Sequence, residues 1–467
     1  MQNTENNNNI SRNWLILAVS ALALSGLFAV FLVIARSPHI SELLPYKDFF
    51  KTTLTIHVNL SVLVWLLSFS AFLATNCHCK RAKGSAAIHR NKQDSNSDEL
   101  LRHFITRNDL FFIGFSTIIF YLCLLATLII VGSVFDVSAV AYLNNYVPYL
   151  DSSIFSFGIL LFITSIFLLH AVSCLFAKKL DEYFGLSLIM VFSYFTFLLT
   201  YFDLSSQENN NLYNHADYYE RLYWGYGHIL QFAYTHIMLI CWLKMAEILT
   251  EKRTDGLTFA INKNCFLFNT VIACGGIAII AKHSVSSFEY INLYTKHMIL
   301  FGGVTAIFIF LNNIKNIYAA IKVKEMLHIR NSLIWSIILF LAGGVISLTI
   351  SGSDTRVPAH YHGSIIGVSL AVIGAVYYYF DQFGYKIRSL RLAKWQPVLY
   401  GSGQLIHIIG LAISGGYGAL RKSPGVAQSF EGKFYMGLMG MGGLISIIGG
   451  LIFVIIILKA VIDNKKI

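Results

Sequence analysis

Ala359-His360-Tyr361-His362-Gly363 opens an apolar stretch that continues to about residue 380, and its reading decides the fold. Two ionisable rings at the start of a run long enough to cross a bilayer are costly, so they mark a function. Residues two apart on an α-helix are separated by about 200° around its axis. The two imidazoles then leave opposite flanks, and one helix can serve two different prosthetic groups. The argument requires that the run be a membrane helix, which the rest of the chain supports.

The chain has 467 residues, of which 56% are hydrophobic and 13% charged. A soluble core of that size does not need so little charge, so the composition points to a polytopic membrane protein. Apolar runs of spanning length recur at 14–35, 54–75, 110–132, 154–176, 183–202, 222–247, 265–283, 295–314, 333–350, 359–380, 397–416 and 435–459. They are continuous rather than alternating, which argues against strands, since only a closed barrel offers a β alternative in lipid. The expected fold is an all-α integral membrane bundle of about twelve helices, one domain over residues 1–467. A polar tail, 1–13, precedes it, and a basic loop, 80–107, follows the second span.

Charge sets the orientation. The loop after the second span carries Lys80, Arg81, Lys83, Arg90, Lys92, Arg102 and Arg107, and later even-numbered loops are also rich in Lys and Arg. The odd-numbered loops hold Asp136, Asp151, Asp203, Glu208 and Asp217. The positive-inside rule then puts both termini in the cytoplasm. The net charge of +11 is explained by basic loops facing anionic lipid, and no nucleic-acid partner is expected. The seven cysteines form no disulfide framework, and Cys77-His78-Cys79 lacks the second pair that a zinc site requires.

With this topology, six histidines fall at one depth near the outer face. His57 opens the second span, His228 lies early in the sixth, His283 closes the seventh, His297 opens the eighth, and His360 and His362 open the tenth. A single histidine at a helix end is ordinarily an interfacial residue. Six at one level suggest haem or metal, because imidazole is a common axial ligand for haem iron and also suits copper.

The chain here resembles the catalytic subunit I of cytochrome c oxidase in the haem-copper oxidase superfamily. The resemblance covers nearly the whole length and rests on the twelve spans, both ends inside, and histidines on spans two, six, seven and ten. It implies two haems: His57 and His362 would ligate a low-spin haem, and His360 a high-spin haem. It implies copper ligands at His228, within Trp224-Gly-Tyr-Gly-His228, and at His283. The adjacent histidine pair usual on span seven is Lys282-His283 here, so one imidazole is missing. Phe232 stands where many members carry a tyrosine, while Tyr226, Tyr290 and Tyr294 are available nearby in sequence. Arg421 and Lys422 match basic residues that pair haem propionates.

The resemblance implies a respiratory terminal oxidase reducing dioxygen in a bacterial inner membrane. Its partners would be other oxidase subunits and cytochrome c or a similar donor. Three alternatives are a diverged haem-binding paralogue with weak or no copper, a nitric oxide reductase-like member, and a polytopic transporter. The glycines of the last two spans are expected to permit close helix packing. Lys244, Glu247, Asn312, Asn313 and Lys315 sit at inner helix ends and mark no defined proton path; they read as interfacial anchors.

Overall fold

The computed structural model describes residues 2–35, 49–91, 96–207, 214–421 and 429–464. Lys422 and the side chains of 81–107 lie outside the described residues. In chain order the helices are α1 (Gln2–Ala35), α2 (Phe49–Val58), α3 (Trp65–Asn91), α4 (Asn96–Gly132), α5 (Ser153–Leu175), α6 (Glu182–Gln207), α7 (His215–Thr250) and α8 (Gly256–Gly275). There follow α9 (Ile277–Lys282), α10 (Phe288–Phe301), α11 (Val304–Asn312), α12 (Ile314–Ile321), α13 (Leu327–Ser347), α14 (Arg356–Gln382), α15 (Leu390–Gly416) and α16 (Phe430–Asn464). Twelve stretches among the described residues are helical, long and apolar enough to cross a membrane. Each overlaps one of the expected spans, and the protein is an all-α, multi-pass integral membrane protein.

Several helices begin earlier than hydropathy indicates. The seventh span starts at Gly256 rather than 265, the eighth at Phe288 rather than 295, and the eleventh at Leu390 rather than 397. The added turns carry charged or polar groups such as Lys263, Glu289, Arg391 and Lys394. Such turns stay helical because their backbone bonds are local, although a transfer scale does not register them. His297 is consequently inside α10, about 13 Å along it, rather than at its start.

Strands, which the continuous runs argued against, do occur in one loop. β1 (Val140–Tyr142) and β2 (Tyr149–Asp151) pair antiparallel, with Ala141 opposite Leu150 and Tyr142 opposite Tyr149. Asp136 closes the neck of this hairpin by accepting from Ser138 Oγ and Ser152 Oγ, both at 2.6 Å. Those hydroxyls, Ser138 first, hold its carboxyl below the usual range.

The chain divides into two compact units: Met1–His236 with Lys263–Thr305, and Ile237–Asn262 with Ala306–Ile467. In the first, α1 packs on α2, α3 and α4, and α5 lies between α4 and α6. A π-helical turn, Asn59–Val64, joins α2 to α3. A π turn frees a backbone carbonyl, and Asn59 Nδ2 donates to Thr55 O (2.9 Å) as well as to Pro148 O (2.8 Å) beside β2. The same asparagine therefore stabilises the turn and ties the hairpin to the helix.

In the second unit, α13, α14, α15 and α16 pack together, with α15 running along α16. The expected close packing of glycines is present. A Cβ at Gly442 would meet His407 N at 2.4 Å, and one at Gly410 would meet Met439 N at 2.6 Å. Only glycine lets these backbones approach so far.

Candidate functional site

His57, His228 and His283 belong to the first unit; His360, His362 and Arg421 belong to the second. His57 is the penultimate residue of α2, just before the π turn. Its Nδ1 lies 2.9 Å from Ser25 O on α1. A carbonyl only accepts, so Nδ1 carries the proton and the lone pair is on Nε2. The Ser25 hydroxyl donates to His57 O at 3.1 Å, which fixes the same turn.

His360 is held in the same way. Its Nδ1 donates to Gly343 O on α13 at 2.8 Å, so its lone pair is again on Nε2. A Cβ on Gly343 would meet Ser364 N at 2.6 Å, so this glycine sets the approach of α13 to α14 and the reach of its own carbonyl. His362 turns to the other neighbour. Its ring is edge-on to His407 of α15, with centroids 5.0 Å apart and planes at 64°. His407 donates from Nδ1 to Met439 O at 3.0 Å. The two rings of the H-x-H pair thus leave α14 toward different helices.

His228 is buried and occupied on both nitrogens. Nδ1 donates to Trp224 O at 2.8 Å, and Nε2 accepts from the Tyr146 hydroxyl at 3.0 Å. Tyr146 comes from the hairpin loop, where Asn145 N donates to Glu220 Oε2 of α7 at 3.1 Å. Its ring covers Gly227, at which a Cβ would meet Tyr146 Cγ at 2.2 Å; a Cβ at Gly225 would meet Tyr294 Cζ at 2.8 Å. The glycines of Trp224-Gly-Tyr-Gly-His228 make room for two tyrosine rings. Tyr294 lies 5.7 Å from His228 by ring centroids, and Tyr290 stacks edge-on behind it. Tyr226 faces Tyr223 and Phe197 instead.

His283 caps α9 in extended conformation, half-buried, beside the exposed Lys282. His297 donates from Nε2 to Ile272 O at 3.0 Å, and its Nδ1 is buried without a partner. The ring packs on Phe232 at 4.9 Å. Among the described residues, no group of three or more His, Cys, Asp or Glu side chains is gathered to hold a metal ion.

Arg421 donates from Nε to Ser353 Oγ at 2.9 Å. Nearby in sequence, Arg356 grips Asp354, with Nε 3.0 Å from each carboxylate oxygen. Its guanidinium holds the Asp354 carboxyl below the ordinary range. Asp354 also bridges to Leu420 through the backbone. Two arginines are thus anchored where the sequence pointed only to Arg421 and Lys422.

His57 and His360 each present an Nε2 lone pair with Nδ1 fixed by a carbonyl. This is the arrangement of axial haem ligands, whose orientation depends on that second bond. The tautomers of His57 and His360 are chemically compatible with axial ligation of haem. The implied copper set does not fit, because neither nitrogen of His228 has an uncommitted lone pair and no three donors converge among the described residues.

Comparison with known proteins agrees on the fold. The structure aligns over 98% of this chain and 84% of the other with a cryo-EM structure of a haem-copper terminal oxidase dimer, at a TM-score of 0.66 and 13% identity. The fold is that of the terminal oxidases. No family model matches the chain. An uncharacterized protein of Rickettsia prowazekii is 31% identical over 97% of this chain and 96% of its own length. The chain belongs to the same family as that protein. An uncharacterized protein of Aquifex aeolicus is 27% identical over 82% of this chain and 88% of its own length.

Proposed function

We propose that this protein is a haem-binding oxidoreductase of the bacterial inner membrane, the catalytic subunit of a respiratory terminal oxidase or a diverged form of one. The observation that carries the reading is the H-x-H pair: His360 is fixed by Gly343 O on α13, while His362 faces His407 on α15. One helix then offers imidazoles to two cofactors on two flanks. His57 and His362 would hold a low-spin haem, and His360 a high-spin haem. Bound haem supplies one-electron transfer and, at an open axial position, gas binding.

The roles of the protein residues follow from the hydrogen bonds. Ser25 O and Gly343 O keep His57 and His360 as neutral Nδ1–H tautomers, with Nε2 aimed and basic. Arg421 and Arg356 supply charge for propionates at the outer end of the second unit. Electrons would come from cytochrome c or a similar carrier docked with other subunits, and dioxygen would be the acceptor.

A second reading is a haem protein with weak or no copper. The Tyr146–His228 hydrogen bond favours it, since the phenol takes the nitrogen that a metal would use. A reduced-minus-oxidised spectrum of the purified protein, with and without carbon monoxide, tests both. Low-spin bands with a carbon monoxide-sensitive band support the oxidase. Low-spin bands alone support a one-haem relative. The absence of haem bands overturns haem binding.

A further inference from the structure

In the second unit three cations stand together without a counter-charge. Elsewhere such groups are paired: Lys244 Nζ lies 3.7 Å from Glu247, and Arg356 grips Asp354. Lys322, Arg330 and Lys394 have no carboxylate within ion-pair distance among the described residues. Arg330 and Lys394 are half-buried, and Lys322 is exposed.

Hydrogen bonds gather the three. Arg330, in the first turn of α13, donates from Nη1 to Val323 O at 3.0 Å, directly after Lys322 at the end of α12. Its Nε and Nη2 donate to Asn331 Oδ1 at 3.3 and 3.1 Å. Asn331 Nδ2 in turn donates to Lys394 O of α15 at 3.0 Å. A guanidinium carries five N–H groups, so these bonds leave two of Arg330 uncommitted.

The surroundings are those of a membrane interface. Lys322 Nζ lies 4.0 Å from the centroid of the Tyr318 ring, and Lys394 Nζ 5.5 Å from that of Trp395. Both rings are about half exposed, at 56% and 51%. Amphipathic rings and snorkelling lysines collect at the level of lipid headgroups. From Tyr318 an exposed apolar ridge runs back through Ile314, Leu311 and Phe308, a helical face that continues across the junction of α11 and α12. The opposite face of the same segment is packed: Ile309, Asn313 and Ile317 are buried, and Asn313 Nδ2 donates to Asn262 Oδ1 at 2.7 Å.

Three neighbouring like charges repel, and partial burial weakens the screening by water that would relieve them. A phosphodiester offsets that repulsion, because its oxygens accept from lysine and from a guanidinium at once. Free phosphate would answer the charge and leave the ridge bare, whereas a phospholipid answers both. Basic pockets between membrane helices, on the side of the basic loops, suit anionic headgroups.

We propose that Lys322, Arg330 and Lys394 form a discrete site for one anionic phospholipid, with its phosphodiester on the three cations and an acyl chain along the Phe308–Tyr318 ridge. The site lies wholly in the second unit and does not depend on haem.

Native mass spectrometry of the full-length chain tests it, after delipidation in detergent and titration with phosphatidylglycerol or phosphatidylcholine of the same acyl chains. The expected result is one phosphatidylglycerol per chain, bound at least about tenfold more tightly than phosphatidylcholine. Lys322→Gln combined with Lys394→Gln should weaken phosphatidylglycerol binding by about tenfold or more. Lys252→Gln combined with Lys459→Gln removes the same charge from exposed positions outside the site and should leave binding unchanged. Equal binding of the two lipids, unaltered binding after loss of Lys322 and Lys394, an equal loss in the control pair, or displacement of the lipid by inorganic phosphate overturns the site.

Discussion

The Tyr146 hydroxyl donates to Nε2 of His228 across 3.0 Å, so a phenol from an outer hairpin occupies a histidine buried in the membrane unit. The other nitrogen is committed to Trp224 O at 2.8 Å. This ring is held as a hydrogen-bonded neutral imidazole, with no lone pair left for a metal.

Tyr146→Phe removes the donor and leaves a buried nitrogen unpartnered, at a cost of about 1–3 kcal/mol. The expected outcome is a lower melting temperature in detergent. Copper content should start well below one per chain in the parent and rise in the variant. Tightly bound stoichiometric copper in the parent, unaltered by the substitution, contradicts the assignment.

His360→Ala and His362→Ala should separate spectroscopically. The first should remove the carbon monoxide-sensitive band and spare the low-spin bands; the second should do the reverse. If His360→Ala alone eliminates the low-spin signal, the two ligands are assigned the wrong way round.

Gly343→Ala tests whether helix approach sets the ligand. The added Cβ would meet Ser364 N at 2.6 Å and Gly363 C at 2.9 Å, both backbone atoms. The helices must part, which costs about 1–3 kcal/mol and pulls Gly343 O away from His360. The carbon monoxide-sensitive band should weaken with every histidine still present. An unchanged spectrum would show that the carbonyl does not position the ring.

Asp354 gives a pH test outside the membrane spans. Its folded pKa is depressed by Arg356, so the stabilisation is present above the unfolded value of about 3.9 and is lost as pH falls through the folded value. Asp354→Asn should lower stability by about 1 kcal/mol near neutral pH, and the gap from the parent should close as the pH is lowered toward about 3. Thermal melts of both proteins across that range provide the check; a constant gap excludes the ion pair as its origin.

The spans were legible because hydropathy reads the lipid-facing majority of each helix. The early starts of α8, α10 and α15 were not, since their first turns are polar and lie beyond the apolar run. The i, i+2 spacing of His360 and His362 foretold rings leaving toward different helices. Tyr146 was hidden because it reaches His228 from 82 residues away, on a loop whose strands are three residues long. Its one trace in the sequence was Gly227, a missing side chain beside His228.

The π turn at Asn59–Val64 has a consequence for how the second span can vary. An α-helix locks every side chain into one angular series of about 100° per residue, so a change of aim at one end propagates to the other. The wider turn breaks that series from Asn59, two residues after His57. The stretch bearing the imidazole and the stretch from Trp65 onward are steered separately, like two segments of a rod joined by a swivel. Removing a single residue from the turn would fuse them and swing His57 away from Ser25 without altering any residue at the ligand itself.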